Sequence, residues 1–325
     1  MTATSPARVV GAPTSLWNPS HGAALLAAGM APRALRAAVM AFTSLDDYLG
    51  APNDRLQAAG VPRIAPAEWR CPPEAFVVLV GHPGYPTWLA ARPSPPPVLV
   101  GVGDASALVN DRGVAVVGSR SMTAMGRAAV DAAIEGATRC AATVVSGMAA
   151  GVDAAAHTAA LGAGLVTVGV AGSSLDALDR RTQQVAGDII AAGGAVVSHL
   201  VGPQAPMSAR HLHTRNHVIA HLAGVMVPCE GRIASGTASA VRAALAARST
   251  LVVPYPRAPF RDAANVELLV ELCDPLPALQ RLGITGALAE RVRRRRPLAD
   301  AVAEDRESLA VLVDAAVRVR AAGFV

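Results

Sequence analysis

Between Val114 and Cys273, short β-branched apolar runs alternate with alanine-rich stretches whose apolar residues recur at helical spacing. No other feature restricts the possible folds of this chain so strongly. The runs Val114–Gly118, Thr143–Ser146, Leu165–Val170, Ala195–Ser198, Val225–Pro228 and Thr250–Val253 read as strands, since each is short, β-branched and uniformly apolar. The spacing predicts helices near 125–141, 152–162, 182–192, 215–222, 236–247 and 264–273. Strands buried on both faces and separated by helices pair in parallel through right-handed crossovers. The expected fold class is therefore α/β: a Rossmann-like, doubly wound, mostly parallel sheet.

The flanks have a different texture. Residues 1–19 are rich in Pro, Ser and Thr and are expected to be disordered. Residues 20–74 are expected to form a small helical domain, interrupted at Pro32 and Pro52. The Rossmann-like domain is assigned to 75–275, opening with a strand candidate at Phe76–Val80 and an extended, Pro-rich stretch from Pro86 to Leu99. Residues 276–325 read as a basic, helical C-terminal extension. It holds Arg291, the run Arg293–Arg296 and the periodic segment Leu309–Val319, and that run fits either a solvated tail or a nucleic-acid contact. No apolar run approaches the roughly 20 residues of a membrane span, and the start lacks the charged and apolar regions of a leader. Cys71, Cys140, Cys229 and Cys273 lie far apart with no Cys-x-x-Cys pair, as expected of idle thiols in a reducing, cytoplasmic setting.

All 29 cationic side chains are Arg, and the formal net charge is +5. Coding bias accounts for the absence of Lys, but the physical consequence stands. Every cationic contact is made by a planar, forked guanidinium suited to phosphate or carboxylate. A net positive charge permits a polyanionic partner without demanding one.

In an open parallel sheet, ligands bind where strands end and helices begin. The first such junction is Val116-Val117-Gly118-Ser119-Arg120, with Gly126 opening the next helix. Gly118 allows a sharp turn, helix-start amides favour an anion, and Arg120 adds a fork for phosphate. It also reads as a tight turn carrying a solvated Arg. The pattern is not Gly-x-Gly-x-x-Gly, and no acidic residue ends the second strand, which disfavours a nicotinamide dehydrogenase. The second junction runs from Ser146 and Gly147 through Gly151 and Asp153 to His157. A third anion seat is Ser235-Gly236-Thr237 at a helix start, which reads equally as a plain cap. Five of the eight histidines (His199, His211, His213, His217, His221) fall within 23 consecutive positions. A helix starting near Thr214 would place His217 and His221 one turn apart, a spacing that suits a metal, a pH-sensitive DNA-facing surface or incidental surface histidines. No carboxylate or Cys is interleaved, so no metal is expected.

Taken in order, these motifs resemble the DNA-processing protein A (DprA/Smf) family. The resemblance is carried by Val-Val-Gly-Ser-Arg at 116–120 and Ser-Gly-Met-Ala-Ala-Gly-Val-Asp-Ala-Ala-Ala-His at 146–157. It continues through Thr214-Arg215-Asn216-His217-Val218-Ile219-Ala220, Ser235-Gly236-Thr237 and Arg248…Val253-Pro254. Upstream, Tyr85-Pro86…Leu89 and Pro96-Pro97-Val98-Leu99 extend it, so it covers roughly residues 76–270. It implies a non-enzymatic, cofactor-free protein that binds single-stranded DNA, delivers it to the RecA recombinase during recombination or natural transformation, and works as a homodimer. By the same resemblance Arg120, Arg215 and Asn216 belong to the DNA pocket, with Arg180 or Arg181 supplying a further cation. Ala150 stands where the family has Arg, His199 where it has Glu, His217 where it has Arg, and Leu178-Asp179 where it has Tyr-Pro.

One property separates this chain from common single-strand binders. Such proteins stack bases on aromatic rings, yet there is no Phe, Trp or Tyr between Asn110 and Pro254. The alternative function is a nucleotide sensor or hydrolase related to the Lonely Guy phosphoribohydrolases, whose Pro-Gly-Gly-x-Gly-Thr-x-x-Glu motif supplies a catalytic Glu. Here Ala240 occupies the Glu position and Glu230 is the only carboxylate nearby, so no catalytic residue is expected.

Overall fold

The computed structural model describes residues 17–68, 74–92, 94–202, 208–257, 263–295 and 297–323. Most of the segment expected to be disordered therefore lies outside the described residues, as do Cys71 and Arg296. Trp17 is an exception: it is buried, and its indole Nε1 donates to the Phe42 carbonyl at 2.8 Å. It anchors four short helices, α1 (Pro19–Ala27), α2 (Pro32–Ala41), α3 (Leu45–Gly50) and α4 (Asn53–Ala58). Their apolar faces close over β1 (Ala75–Leu79) and, beyond the short helix α5 (Thr87–Ala90), over β2 (Val98–Gly103). The stretch from Pro86 to Leu99 is thus not extended throughout, because α5 and the start of β2 lie within it.

From there strands and helices alternate: β3 (Gly113–Val117), α6 (Ala124–Arg139), β4 (Thr143–Gly147), α7 (Val152–Gly162), β5 (Thr167–Val170), α8 (Arg180–Ala191) and β6 (Ala195–Ser198). Then follow α9 (Ala209–Leu222), β7 (Val225–Pro228), α10 (Gly236–Ala247), β8 (Thr250–Pro254) and α11 (Glu267–Cys273). The chain continues through α12 (Gly286–Val292), β9 (Ala301–Ala303) and α13 (Arg306–Ala322). The nine strands of the described residues join one sheet in the order β1-β2-β6-β5-β4-β3-β7-β8-β9. The pairs β1–β2 and β2–β6 are antiparallel, and every other pair is parallel. The expected doubly wound sheet is what the chain forms.

Side-chain alternation assigns the two faces. Ala115, Val117, Val145, Met226, Leu251 and Val253 pack beneath α9, α10 and α11. Val114, Val116, Val144, Val225, Val227 and Val252 face α6, α7 and α13. With both faces covered, each central strand reads as a continuous apolar run. The C-terminal segment is woven into this framework. β9 pairs in parallel with β8, and α13 lies along α6. Gly136 on α6 makes that approach possible, because a Cβ there would fall 2.8 Å from Val313 Cβ. α13 itself starts from a capping box, with Asp305 accepting from Ser308 N at 2.8 Å and Ser308 Oγ accepting from Asp305 N at 3.0 Å.

Strand order reverses between β3 and its neighbour β7. The chain leaves β3 toward β4, β5 and β6 on one side, then returns to β7 and β8 on the other. The loops after β3 and β7 consequently diverge, opening a crevice at the carboxyl ends of the strands.

Candidate functional site

Two adjoining cavities, of about 690 and 500 Å³, occupy this edge of the sheet. Arg120, Ala149 and Arg215 line both. The smaller cavity lies at the strand-order reversal, between the Gly118–Ser121 loop and the start of α10, and Arg232 adds a third guanidinium. In the larger cavity Arg181 joins Arg120 and Arg215, but Asp176 and Asp179 also face it. Among the described residues the smaller one is therefore the more cationic, since Asp153 is the sole carboxylate lining it.

Asp153 and Arg215 form the base of the site. Arg215 Nη1 lies 3.6 Å from Asp153 Oδ2, and both side chains are about nine-tenths buried. Burial pushes the Asp153 carboxyl above the usual carboxylate range, opposed by Arg215 and by N–H donors of Ala149 and Gly118. Burial likewise pulls the Arg215 guanidinium down, with Asp153 opposing it and the neighbouring Arg120 charge adding to it. Arg215 Nε is buried without a hydrogen-bond partner. Two arginines thus share the rim of the crevice, and only the deeper one is neutralised from behind.

The glycines explain how the loops come so close. A Cβ on Gly147 would collide with both Arg215 Nη1 and Asp153 Oδ2. Gly151 has φ +78°, and a Cβ there would strike the carbonyls of Ser119 and Arg120. Its close approach lets the Val152 N–H donate to the Ser119 carbonyl at 3.0 Å, stitching the two junctions together. Gly118 has a comparable role, for a Cβ would lie 2.6 Å from Val152 Cγ2.

Several residues expected at the ligand instead brace the scaffold. At the start of α6, buried Glu230 accepts from Thr123 N at 3.1 Å and from Thr123 Oγ1 at 2.7 Å, with Asn265 Nδ2 at 3.0 Å. A Cβ on Gly126 would meet that carboxyl at 2.6 Å, so the Glu230 side chain already fills the space at this helix start where Gly126 was expected to seat a phosphate. The start of α7 is closed too, with Val152 and Ala154 donating to the Ser119 and Ala149 carbonyls. Ser146 is fully buried and donates to the Val116 carbonyl at 2.6 Å. His157 is also fully buried, with Nε2 2.9 Å from the Gly147 carbonyl and Nδ1 2.8 Å from Thr167 Oγ1. A carbonyl only accepts, so Nε2 carries the proton. Burial holds this imidazole neutral, its pKa lowered to about 4. Although it borders the larger cavity, it ties α7 to β4 and β5. Arg180 does not line either cavity, whereas Arg181 does.

The open helix start is that of α10. Ser235 is its N-cap, accepting from Ala238 N at 3.2 Å, and a Cβ on Gly236 would meet nothing within 4 Å. Ser235, Gly236 and Thr237 line the smaller cavity with Asn216, whose Nδ2 reaches the Gly236 carbonyl at 3.4 Å. Ala240 lines it as well, leaving an apolar wall where the hydrolase reading requires Glu. Sequence reasoning missed Arg232 and Asn265. Arg232 follows β7 at a strand-to-helix junction, the same positional signal that singled out Arg120.

The histidines also depart from expectation. α9 begins at Ala209, not near Thr214, because Ser208 caps it by accepting from His211 N at 3.2 Å. His213, His217 and His221 then stack along one face, their rings 4.8 and 6.2 Å apart. His199, at the end of β6, lies 6.1 Å from the His211 ring. Burial, aided by neighbouring charge, lowers His199 to about 4 and His217 to about 3. Neither is a cationic DNA contact near neutrality. Among the described residues no cluster of three or more His, Cys, Asp or Glu could hold a metal, and no helix is long and apolar enough to cross a membrane.

With this geometry in hand, similarity to known proteins is informative. A family model for DNA recombination-mediator protein A matches residues 76–271. DNA processing protein DprA of Bacillus subtilis is 29% identical over 171 residues, covering 52% of this chain and 57% of that protein. The chain spans about half the length of the curated relatives it matches. DprA from Streptococcus pneumoniae shares the fold with a TM-score of 0.55 at 21% identity, over 72% of each chain. DprA from Helicobacter pylori, solved to show its single-stranded DNA binding mode, does so with a TM-score of 0.50 at 24% identity, over 57% of this chain and 83% of that one.

Proposed function

The chain belongs to the DNA recombination-mediator protein A family, and from that premise we propose that its crevice binds the phosphodiester backbone of single-stranded DNA. The observation that carries this reading is the convergence of Arg120, Arg215 and Arg232 with the open start of α10 on one cavity at the strand-order reversal. Forked guanidiniums and helix-start amides are complementary to phosphate oxygens. No Phe, Trp or Tyr is among the described residues lining either cavity, so bases are held by apolar side chains such as Leu212 and Met148 and by arginine stacking. Binding of this kind is sensitive to salt and nearly blind to sequence.

The role extends from binding to delivery. A protein that covers single strands without processing them is suited to pass them to a recombinase, and RecA together with a second copy of this chain are the proposed partners. Hydrolysis of nucleotides is disfavoured by two positions. Ala240 lacks a carboxylate, and Glu230 is buried at the start of α6 with its oxygens committed to Thr123 and Asn265. Titrating labelled oligonucleotides against free nucleoside monophosphates tests the proposal. Oligonucleotide binding that mononucleotides fail to compete supports it, whereas tight mononucleotide binding or release of free base overturns it.

A further inference from the structure

α10 connects two basic regions. Its start opens on the crevice, and its end, roughly 18 Å away at 1.5 Å per residue, borders a separate cavity of about 250 Å³. Arg248, Arg291 and Arg295 line this third cavity together with Thr250 and Asp300. Residue numbers 248 and 291–295 are far apart in sequence, yet the fold brings them to the amino end of β8.

The charges there do not balance. Asp300 is the one carboxylate among the described residues lining the cavity, and it is committed: Oδ2 accepts from Leu251 N at 2.7 Å and lies 2.5 Å from Arg295 Nη2. The Arg295 contact is close but poorly aligned, since Nη2 is buried and makes no hydrogen bond of good geometry. Arg248 and Arg291 are exposed and, among the described residues, have no ion-pair partner. Arg248 caps α10 with φ +60°, a left-handed conformation unusual outside glycine. A cation at a helix C-terminus complements the dipole, which accounts for Arg248; Arg295 is drawn to Asp300, and Arg291, in the last turn of α12, brings a further positive charge that no described carboxylate offsets.

We propose that Arg248, Arg291 and Arg295 form a second oxyanion pocket that takes a phosphate group. Three guanidiniums around one concavity offer more donors than a carboxylate can accept, and they match the several oxygens of a phosphate. The phosphate belongs either to a small phosphorylated compound or to the backbone of a DNA strand extending beyond the crevice.

Calorimetric titration with inorganic pyrophosphate tests the pocket directly. The double variant R248A/R291A is expected to weaken pyrophosphate binding at least tenfold, with unchanged melting because both side chains are exposed. Pyrophosphate held by the crevice is weakened in R120A and untouched in R248A/R291A, so the component of binding that R120A keeps and R248A/R291A loses reports on this pocket alone, even if the crevice proves not to bind DNA. R293A/R294A removes two nearby arginines that do not line the cavity, and it should also bind normally. The proposal is overturned if the wild type binds no pyrophosphate, if R248A/R291A binds as well as the wild type, or if R293A/R294A loses as much. Oligothymidylates of 5 and 30 nucleotides distinguish the sources. Weakening of the long oligonucleotide alone in R248A/R291A assigns the pocket to DNA, and no change at either length assigns it to a small compound.

Discussion

Arg215 and Asp153 face each other 3.6 Å apart, nine-tenths buried, with Gly147 leaving just enough room for both. Removing one partner strands the other charge in a poorly solvated place, at a cost of about 3–5 kcal/mol. Asp153→Ala, Arg215→Ala and Gly147→Ala should each lower the melting temperature by several degrees in thermal unfolding. A normal melting temperature for Asp153→Ala would show that the pair contributes little to the fold. Arg215→Ala is for this reason a poor test of DNA binding by itself.

Arg120 and Arg232 make the cleaner test, since both are exposed and neither holds the scaffold. Loss of a charge-assisted hydrogen bond costs about 1.5–3 kcal/mol, so each alanine variant should weaken oligonucleotide binding by roughly ten- to a hundredfold. The loss should be equal for oligonucleotides of any sequence. Each phosphate contact removed should flatten the log–log salt dependence by about 0.7. Wild-type affinity in both variants, measured by fluorescence anisotropy, would place the DNA elsewhere.

Gly151 should tolerate no side chain. With φ +78° and the Ser119 and Arg120 carbonyls against it, Gly151→Ala must push apart the two loops that carry the site. The expected result is lowered melting together with loss of oligonucleotide binding, whereas Gly236→Ala, with open space around it, should leave folding intact.

His157 makes the fold sensitive to acid. Its pKa is about 4 when folded and about 6.5 when unfolded, so below pH 6.5 the unfolded chain binds the extra proton first. Stability should be full above pH 6.5, decline as pH falls toward 4 and level off below that. The contribution is about 3 kcal/mol at most, from about 1.4 kcal/mol per unit. Denaturant melts of His157→Gln across this range should show a shallower decline than the wild type. An identical slope would remove His157 as the cause.

His199 and His217 should not tune binding near neutrality. Both remain neutral until about pH 4 and 3, so His199→Gln and His217→Gln should reproduce the wild-type affinity profile between pH 7.5 and 5.5. A profile flattened by either substitution would restore the idea of a histidine sensor facing DNA.

The sheet was legible because burial on both faces leaves a mark at every position of a strand. Val225–Pro228, 152–162 and 236–247 were bounded as the chain forms them. β9, at three residues, is too short to show a pattern, and α5 is a single turn among prolines. In the site, Arg120 was marked by a strand-to-helix junction and Arg215 only by the family resemblance, and the fold brings both to the lining of the same cavities. The motifs did not reveal which polar groups turn inward. Ser146 and His157 look like ligand contacts in one dimension, and only the partners that bury them (Val116 and Gly147) reveal their bracing contacts.

The union of α13 with α6 bears on what may be cut away. Arg318 Nη2 donates to the Arg139 carbonyl at 2.6 Å across 179 positions of chain, and Leu309, Val313 and Val317 fill the same layer as Val130 and Ala133. The family-model match ends at 271, short of α12, β9 and α13, which the fold builds into the same sheet and core. A fragment trimmed to the matched stretch would expose a greasy helix flank and the unpaired edge of β8, and would aggregate rather than report on the activity of the whole. During synthesis the same flank stays uncovered until translation has passed Ala322, which makes completion of this core a late event in the life of each molecule.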